Sequence, residues 1–263
     1  MNKNAPIEHA FITAAGLGER MRPLTNDRCK PMVEVAGQPI IGHVLDRLVA
    51  AGIKYVGVNS FYKPDNLEAY LQQYGAAHPG LTITIVREDI LLNTGGGIKN
   101  ALSTMPDAPF FVISGDSFWD DDPSGAALDL MAQHFNPATT DIMLLLKDLN
   151  EMHPTEGSAD YDIDNNRNLT RSPTKTGAYA WTSIRIIKNK TIFDNTPDTP
   201  FSFLELLDRA QAVGKLQGLL HAGAWHHFST PADIMAVNNY VALQKKILGT
   251  EELPLKRAPT FGI

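Results

Sequence analysis

Between Ala14 and Pro31 the chain gathers small residues and cations: Ala14, Ala15, Gly16 and Gly18 come first, then Arg20, Arg22 and Lys30. Small side chains let backbone amides approach a base, a ribose or a phosphate closely, and Arg20 and Lys30 supply the charge that a triphosphate requires. The combination reads as a polyphosphate cradle. It is not a Walker A loop, because no Gly-Lys-Ser/Thr follows, and Met21 stands where a dinucleotide fingerprint has its third glycine. An ordinary glycine-rich turn with surface cations has the same composition, so the surrounding residues must decide.

Two further segments carry chemistry. Asn93, Thr94 and Gly95 to Gly97 open a predicted helix, where three glycines cost stability unless the backbone must come close to something. Asp116 follows the apolar run Pro109 to Ser114, at the carboxyl end of a predicted strand, where an open α/β sheet turns side chains toward its ligand; a turn-capping aspartate is the alternative. Trp119 and the run Asp120, Asp121, Asp122 read as a packed aromatic and a solvated acidic turn.

The elements that must position these residues alternate. Apolar runs predict strands at His9 to Ala14, Tyr55 to Ser60, Leu81 to Arg87 and Pro109 to Ser114, with helices at Pro39 to Ala51, Pro64 to Tyr74 and Gly97 to Met105. That period predicts a doubly wound, mostly parallel α/β sheet with ligands at the strands' carboxyl ends. The second half predicts small antiparallel additions: strands in Asp141 to Lys147, Tyr161 to Thr170, Ala178 to Lys188 and Leu216 to Phe228, and helices at Phe203 to Val213 and Pro231 to Leu248. Glu151 to Asp160 reads as a loop over the site. At 263 residues a single domain suffices, with a first half over about 8–120 that carries the cradle, a closing half over about 121–248, and a tail over 249–263.

Net charge of −6 weighs against nucleic acid as a partner and requires that an anionic ligand be met by local cations or a metal. No run reaches the length of a membrane span and no apolar leader precedes the first strand, so a cytoplasmic protein without a membrane partner is expected. The single cysteine, Cys29, reads as a small packing residue.

Taken together, AAGLGERMRPLT followed by KPMVEVAGQPII, NTGGGI at 93–98 and SGDSFW at 114–119 resemble the sugar nucleotidyltransferase family, most of all its branch acting on N-acetylmuramate 1-phosphate. The likeness runs from about Ile12 through Thr230. It implies a Rossmann-like, GT-A-like fold. It also implies a reaction in which a sugar 1-phosphate oxygen attacks the α-phosphorus of a nucleoside triphosphate in line and pyrophosphate leaves. By that resemblance Arg20 clamps the departing phosphates and Lys30 sits on the α-phosphate and the attacking phosphate. Ala14, Ala15, Gly16, Gly18, Asn93, Thr94 and Gly95 border the nucleotide, Gly157 and Ser183 border the sugar, and Asp116 binds Mg²⁺.

The chain departs from the pattern in three places. Asn93 stands where relatives more often carry an acidic residue, and Ser183 where they often have glycine. Relatives carry a second metal-binding Asp in Trp-x-Asp-x-Gly-Thr, whereas Trp225 to Thr230 reads WHHFST and puts His227 at that position. Adjacent strand side chains point to opposite faces, so only one of His226 and His227 reaches an ion, and His227 shares its face with Trp225. Imidazole favours transition metals, which shifts the expectation from Mg²⁺ toward Mn²⁺ or Co²⁺. His227 is read in three ways: a metal ligand or phosphate contact, a structural histidine beside Asp116 acting alone, or the mark of lost turnover.

The resulting expectation is an enzyme joining UTP and N-acetylmuramate 1-phosphate, as in cell-wall recycling. GTP with mannose or heptose 1-phosphate is the neighbouring reading, and a nucleotide-sugar-binding regulatory protein is the rival of another class.

Overall fold

A computed structural model describes residues 6–121 and 124–247. Asp122 of the acidic run and the tail over 249–263 lie outside the described residues. The first half comprises β1 (His9–Thr13), the short hairpin β2 (Glu34–Val35) and β3 (Gln38–Pro39), α1 (Ile40–Ala50), β4 (Tyr55–Ser60), α2 (Pro64–Ala77) and β5 (Thr82–Arg87). There follow α3 (Asn93–Asn100), β6 (Phe110–Ser114), β7 (Phe118–Trp119), α4 (Ala127–His134), β8 (Ile142–Asp148), β9 (Tyr161–Ile163) and β10 (Leu169–Arg171). The chain continues through β11 (Tyr179–Ile187), α5 (Leu204–Ala212), β12 (Leu216–Leu220), β13 (Trp225–His226) and α6 (Pro231–Ile247).

Strands β5, β4, β1 and β6 lie side by side and parallel, with Ala10 in register with both Val56 and Phe111. The apolar runs of β1, β4 and β6 are buried, as a covered parallel sheet requires, whereas β5, at the sheet's edge, alternates exposed and half-buried residues. The chain winds outward from β1 through β4 to β5 and then returns to β1's other side as β6. That reversal opens a crevice at the carboxyl ends of β1 and β6.

Beyond β6 the sheet turns antiparallel. β11 pairs β6 through Ile184 and Ile113, β8 pairs β11, β12 runs parallel to β8, and the β9–β10 hairpin joins through Tyr161 and Tyr179. The antiparallel additions are therefore built onto the central sheet itself. Aliphatic residues of α1 and α2, among them Val44, Leu48, Leu67 and Leu71, cover one face. Ile98 of α3 and Leu206 and Leu207 of α5 cover the other, against Phe11, Val112 and Leu144. A third cluster joins Met21 of the glycine-rich loop to Phe228 and to Ile234 and Val237 of α6, fixing the loop's rear.

Predicted strands and helices match to within a few residues; the short strands β2, β3 and β7 have no counterpart in the sequence reading, and two helices differ. α3 begins at Asn93, so Gly95 to Gly97 lie inside its first turns and do not precede it. α4 has no counterpart in the sequence reading; it seats only Ala127, Leu128 and Met131 in the core, too short an apolar stripe to stand out. No helix among the described residues is long and apolar enough to cross a membrane.

Candidate active site

A cleft of about 510 Å³ opens at the carboxyl ends of the parallel strands. Ala14, Ala15, Gly16 and Gly18 line one wall, and Lys30, Ser114 and Asp116 its floor. A Cβ on Gly16 would meet nothing within 4 Å, so the backbone there faces open space. Gly18 is needed for another reason: its φ is +63°, and a Cβ would lie 3.1 Å from Thr25 Cγ2. The loop is pinned by the Thr25 hydroxyl donating to Gly18 O at 2.9 Å. Arg20 lines an adjoining opening that shares Gly18 and Lys30 with the main cleft. Arg22 is exposed.

Lys30 and Asp116 are brought together although 86 positions separate them in sequence. The ammonium donates to the Asp116 carboxylate and to the Phe228 carbonyl, and Ser114 Oγ donates to the other carboxylate oxygen. Desolvation opposes the Asp116 charge, but the Lys30 charge and hydrogen bond, the Ser114 bond and the His227 ring outweigh it and hold the carboxyl below its ordinary range.

The opposite wall holds a pair that the sequence reading missed. Asn59 Oδ1 accepts from Ala14 N at 2.6 Å, Asn59 Nδ2 donates to Glu88 Oε1 at 2.7 Å, and Glu88 Oε2 accepts from Leu92 N at 3.1 Å. Glu88 is 5% exposed and lines the cleft. Asn59 ends the core of β4 and Glu88 follows β5, so the strand-end rule that selected Asp116 selects both.

Asn93 and Thr94 line the cleft, Asn93 with φ +62° and its Oδ1 accepting from Thr94 N at 2.7 Å. Gly95 does not line it. Its amide donates to Phe201 O at 2.9 Å, and a Cβ there would lie 2.4 Å from the Phe201 ring, so packing against Phe201 accounts for the glycine. Gly97 is explained by Glu88 Oε1, 2.7 Å from where its Cβ would stand.

Neither of the residues assigned to the sugar lines the main cleft. A Cβ on Gly157 would lie 2.4 Å from Met152 Sδ and 2.8 Å from the Ala180 methyl, so its small size serves loop packing. Ser183 has φ +64° within a bulge of β11, where pairing passes from Trp181–Leu146 to Arg185–Leu144. Left-handed backbone favours glycine, which explains the glycine of relatives at this position.

His226 and His227 diverge as alternation predicts. His226 is 1% exposed and packs between Phe118 and Tyr240, whereas His227 follows β13, lies 5.9 Å ring to ring from Trp225, and shares a 2.7 Å hydrogen bond between Nε2 and Ser229 Oγ. Burial first, then Lys30 and Arg20, lower the His227 pKa against the opposing pull of Asp116 and Asp233. His227 therefore belongs to the Lys30–Asp116 neighbourhood and stays neutral there near pH 7. Cys29 is fully buried, its thiol pushed up to about 11 by desolvation, as a packing residue should be.

Residues 9–156 match the nucleotidyl transferase family. Over 235 residues, 89% of this chain and 96% of the relative, the sequence is 37% identical to an N-acetylmuramate alpha-1-phosphate uridylyltransferase of Caulobacter vibrioides. The chain belongs to the nucleotidyl transferase family. A mannose-1-phosphate guanylyltransferase of Mycobacterium tuberculosis is 36% identical over 52% of this chain and 36% of its own length. In fold the chain resembles UDP-glucose pyrophosphorylase solved with UDP-glucose, with TM-score 0.72 and 15% identity over 90% of this chain and 99% of that one.

As a nucleotidyl transferase the chain places its cradle and its cation–carboxylate pair on the β1–β6 reversal, the point of the sheet where the topology itself makes a crevice. Among the described residues no three His, Cys, Asp or Glu side chains cluster closely enough to hold an ion without the substrate's help.

Proposed function

We propose that this nucleotidyl transferase is an enzyme joining UTP to N-acetylmuramate 1-phosphate, giving UDP-N-acetylmuramate and pyrophosphate. The 37% identity to the Caulobacter uridylyltransferase across nearly its whole length carries the choice of substrates. An oxygen of the sugar 1-phosphate forms a bond to the α-phosphorus while the bond to the β-phosphate oxygen breaks. No side chain need move a proton. What the site must do is hold two polyanions in line and neutralise the charge that spreads between them.

Lys30 is the cation we assign to the α-phosphate and the attacking phosphate; its bonds to Asp116 and Phe228 O fix the ammonium in place before substrate arrives. Arg20, at the adjoining opening, is assigned to the departing pyrophosphate. The cleft-lining Ala14, Ala15, Gly16 and Gly18 are assigned to the triphosphate, and Asn59 and Glu88 to the edge of the base. The donor set fits a divalent cation of the magnesium type, which uses one or two carboxylates and completes its shell with water and phosphate oxygens. Asp116 would hold it, and it would supply further neutralisation of phosphate charge. The neutral His227 imidazole beside Asp116 favours Mn²⁺ as an alternative.

The test is pyrophosphate release from UTP and GTP with N-acetylmuramate, mannose and heptose 1-phosphates, each with Mg²⁺ and with Mn²⁺. Release is expected with UTP and N-acetylmuramate 1-phosphate. Faster release with GTP and a hexose or heptose phosphate overturns the choice of substrates, and tight nucleotide binding without release from any pair overturns the enzyme.

A further inference from the structure

Arg185 is a buried cation that the reaction as described does not use. It lies on β11 opposite Val112 of β6 and is 3% exposed. Its Nε has no protein acceptor, and among the described residues Tyr161 is the only ionisable group that bears on its charge. In place of a carboxylate it has aromatic faces: its Cζ stands 4.1 Å from the Phe203 ring centre and 5.1 Å from that of Trp181. Trp181 Nε1 and the Tyr161 hydroxyl are buried without an acceptor as well. Burial lowers the guanidinium pKa to about 9, which still leaves it charged at neutral pH.

A buried charge with no partner is costly, and aromatic faces offset only part of the cost. Three buried donors on neighbouring side chains, Arg185 Nε, Trp181 Nε1 and the Tyr161 hydroxyl, thus lack an acceptor that an anion would supply. A guanidinium fork matches a planar carboxylate through two parallel hydrogen bonds. The location suits a substrate group. Phe203 N donates to Thr94 Oγ1 at 3.0 Å, and Thr94 and Pro200 line the cleft, so Arg185 stands one residue layer behind the cleft wall. It also ends the β11 bulge that carries Ser183.

Resting on the substrate reading above, we propose that Arg185, flanked by Trp181 and Tyr161, determines specificity for a sugar 1-phosphate that bears a carboxylate, and receives the lactyl carboxylate of N-acetylmuramate 1-phosphate. For the carboxylate to reach it, the Pro200 to Phe203 segment must part from Thr94 Oγ1 and from the backbone bonds that join Phe201 to Leu92, Gly95 and Gly96.

The experiment compares N-acetylmuramate 1-phosphate with N-acetylglucosamine 1-phosphate, which lacks the lactyl ether and its carboxylate, in the wild type, R185M and R185K. Rates are measured by pyrophosphate release and weak substrates by competition binding. The wild type should prefer the carboxylated sugar. R185M should raise its KM about 10- to 100-fold, the scale of one charged hydrogen-bonded contact, while the constant for N-acetylglucosamine 1-phosphate stays within twofold. R185K, which keeps the charge and loses the fork, should fall between them and serves as the folded comparison if R185M melts early. A preference that survives in both variants overturns the role of Arg185 and leaves the substrate reading intact. A wild type that prefers N-acetylglucosamine 1-phosphate overturns the substrate reading and the inference with it.

Discussion

In the half of the molecule built on β1, β4, β5 and β6, buried polar groups satisfy one another in chains: Ala14 N to Asn59 to Glu88 to Leu92 N, and Ser114 to Asp116 to Lys30 to the Phe228 carbonyl. In the half built on β9, β11 and β13, Tyr161, Trp181, Arg185, Trp225 and His226 all bury polar atoms without a protein partner; among the described residues before 121, only Trp119 does so. The contrast separates two tasks. Triphosphate chemistry needs charges fixed in advance, because a donor that must reorganise loses its electrostatic advantage. A surface facing a variable sugar can keep unpaired groups whose partners arrive with the ligand.

The most severe break in the comparison comes from the paired side. Lys30→Ala should cut kcat by about 10²- to 10³-fold, equivalent to about 2.7–4 kcal/mol of barrier, because it removes a preorganised cation and leaves Asp116 uncompensated. Steady-state pyrophosphate release measures it, with nucleotide binding as the control for folding. A loss of only a few-fold would mean that the front of the cleft is not where charge is stabilised.

The unpaired side makes an opposite prediction. Both ring nitrogens of His226 lack a protein partner, and desolvation, aided by His153, lowers its pKa to about 4. The unfolded histidine binds its proton near 6.5, so the stability that neutral His226 allows is fully present above that pH and is lost progressively as pH falls from 6.5 toward 4. The loss should reach a few kcal/mol at the acid end. His226→Phe should remove this slope and leave the protein no less stable at pH 7, as urea midpoints at pH 7.5, 6 and 5 would register. A variant that keeps the slope, or that melts early at pH 7, would mean that the ring is held by a bond worth keeping.

A methyl group tests how rigid the paired side is. Gly97→Ala would place Cβ 2.7 Å from Glu88 Oε1 and 2.8 Å from Asn59 Nδ2, inside the chain that holds Ala14 N. Overpacking of this kind costs about 1–3 kcal/mol. It should appear as a lower melting temperature together with a raised KM for UTP and an unchanged KM for the sugar phosphate. A rise in both constants would instead point to general loosening.

The same division runs through what the sequence made legible. β1, β4 and β6 are short, largely apolar runs buried on both faces and β5 is an alternating, half-exposed edge strand, so their patterns gave both the strands and their carboxyl ends, and with them Asp116. Asn59 and Glu88 went unread although both stand at strand ends, because the rule marks every strand end alike and only the sheet order shows that these two converge on one cleft. Gly95, Gly97 and Gly157 attracted attention as glycines, yet what they approach is Phe201, Glu88 and Met152, contacts between segments that spacing does not encode. Arg185 escaped for a related reason. In a strand reading it is one charged residue among aliphatics, and only burial shows that no carboxylate meets it.

The smallest effect sharpens the comparison most directly. Ser183 holds φ +64° within the β11 bulge, a conformation that costs an L-residue about 1–2 kcal/mol and costs glycine almost nothing. Glycine gives back part of that gain through its greater freedom in the unfolded chain, about 0.4–1 kcal/mol. Ser183→Gly should therefore stabilise the protein by about 0–1.6 kcal/mol in urea melts. If the strained serine is retained because its hydroxyl meets the sugar, the same variant should raise KM for the sugar 1-phosphate and leave that for UTP unchanged. If KM holds while stability rises, the serine has no part in the site, and the unpaired side of the molecule reduces to Arg185 and its aromatic neighbours as the region that reads the sugar.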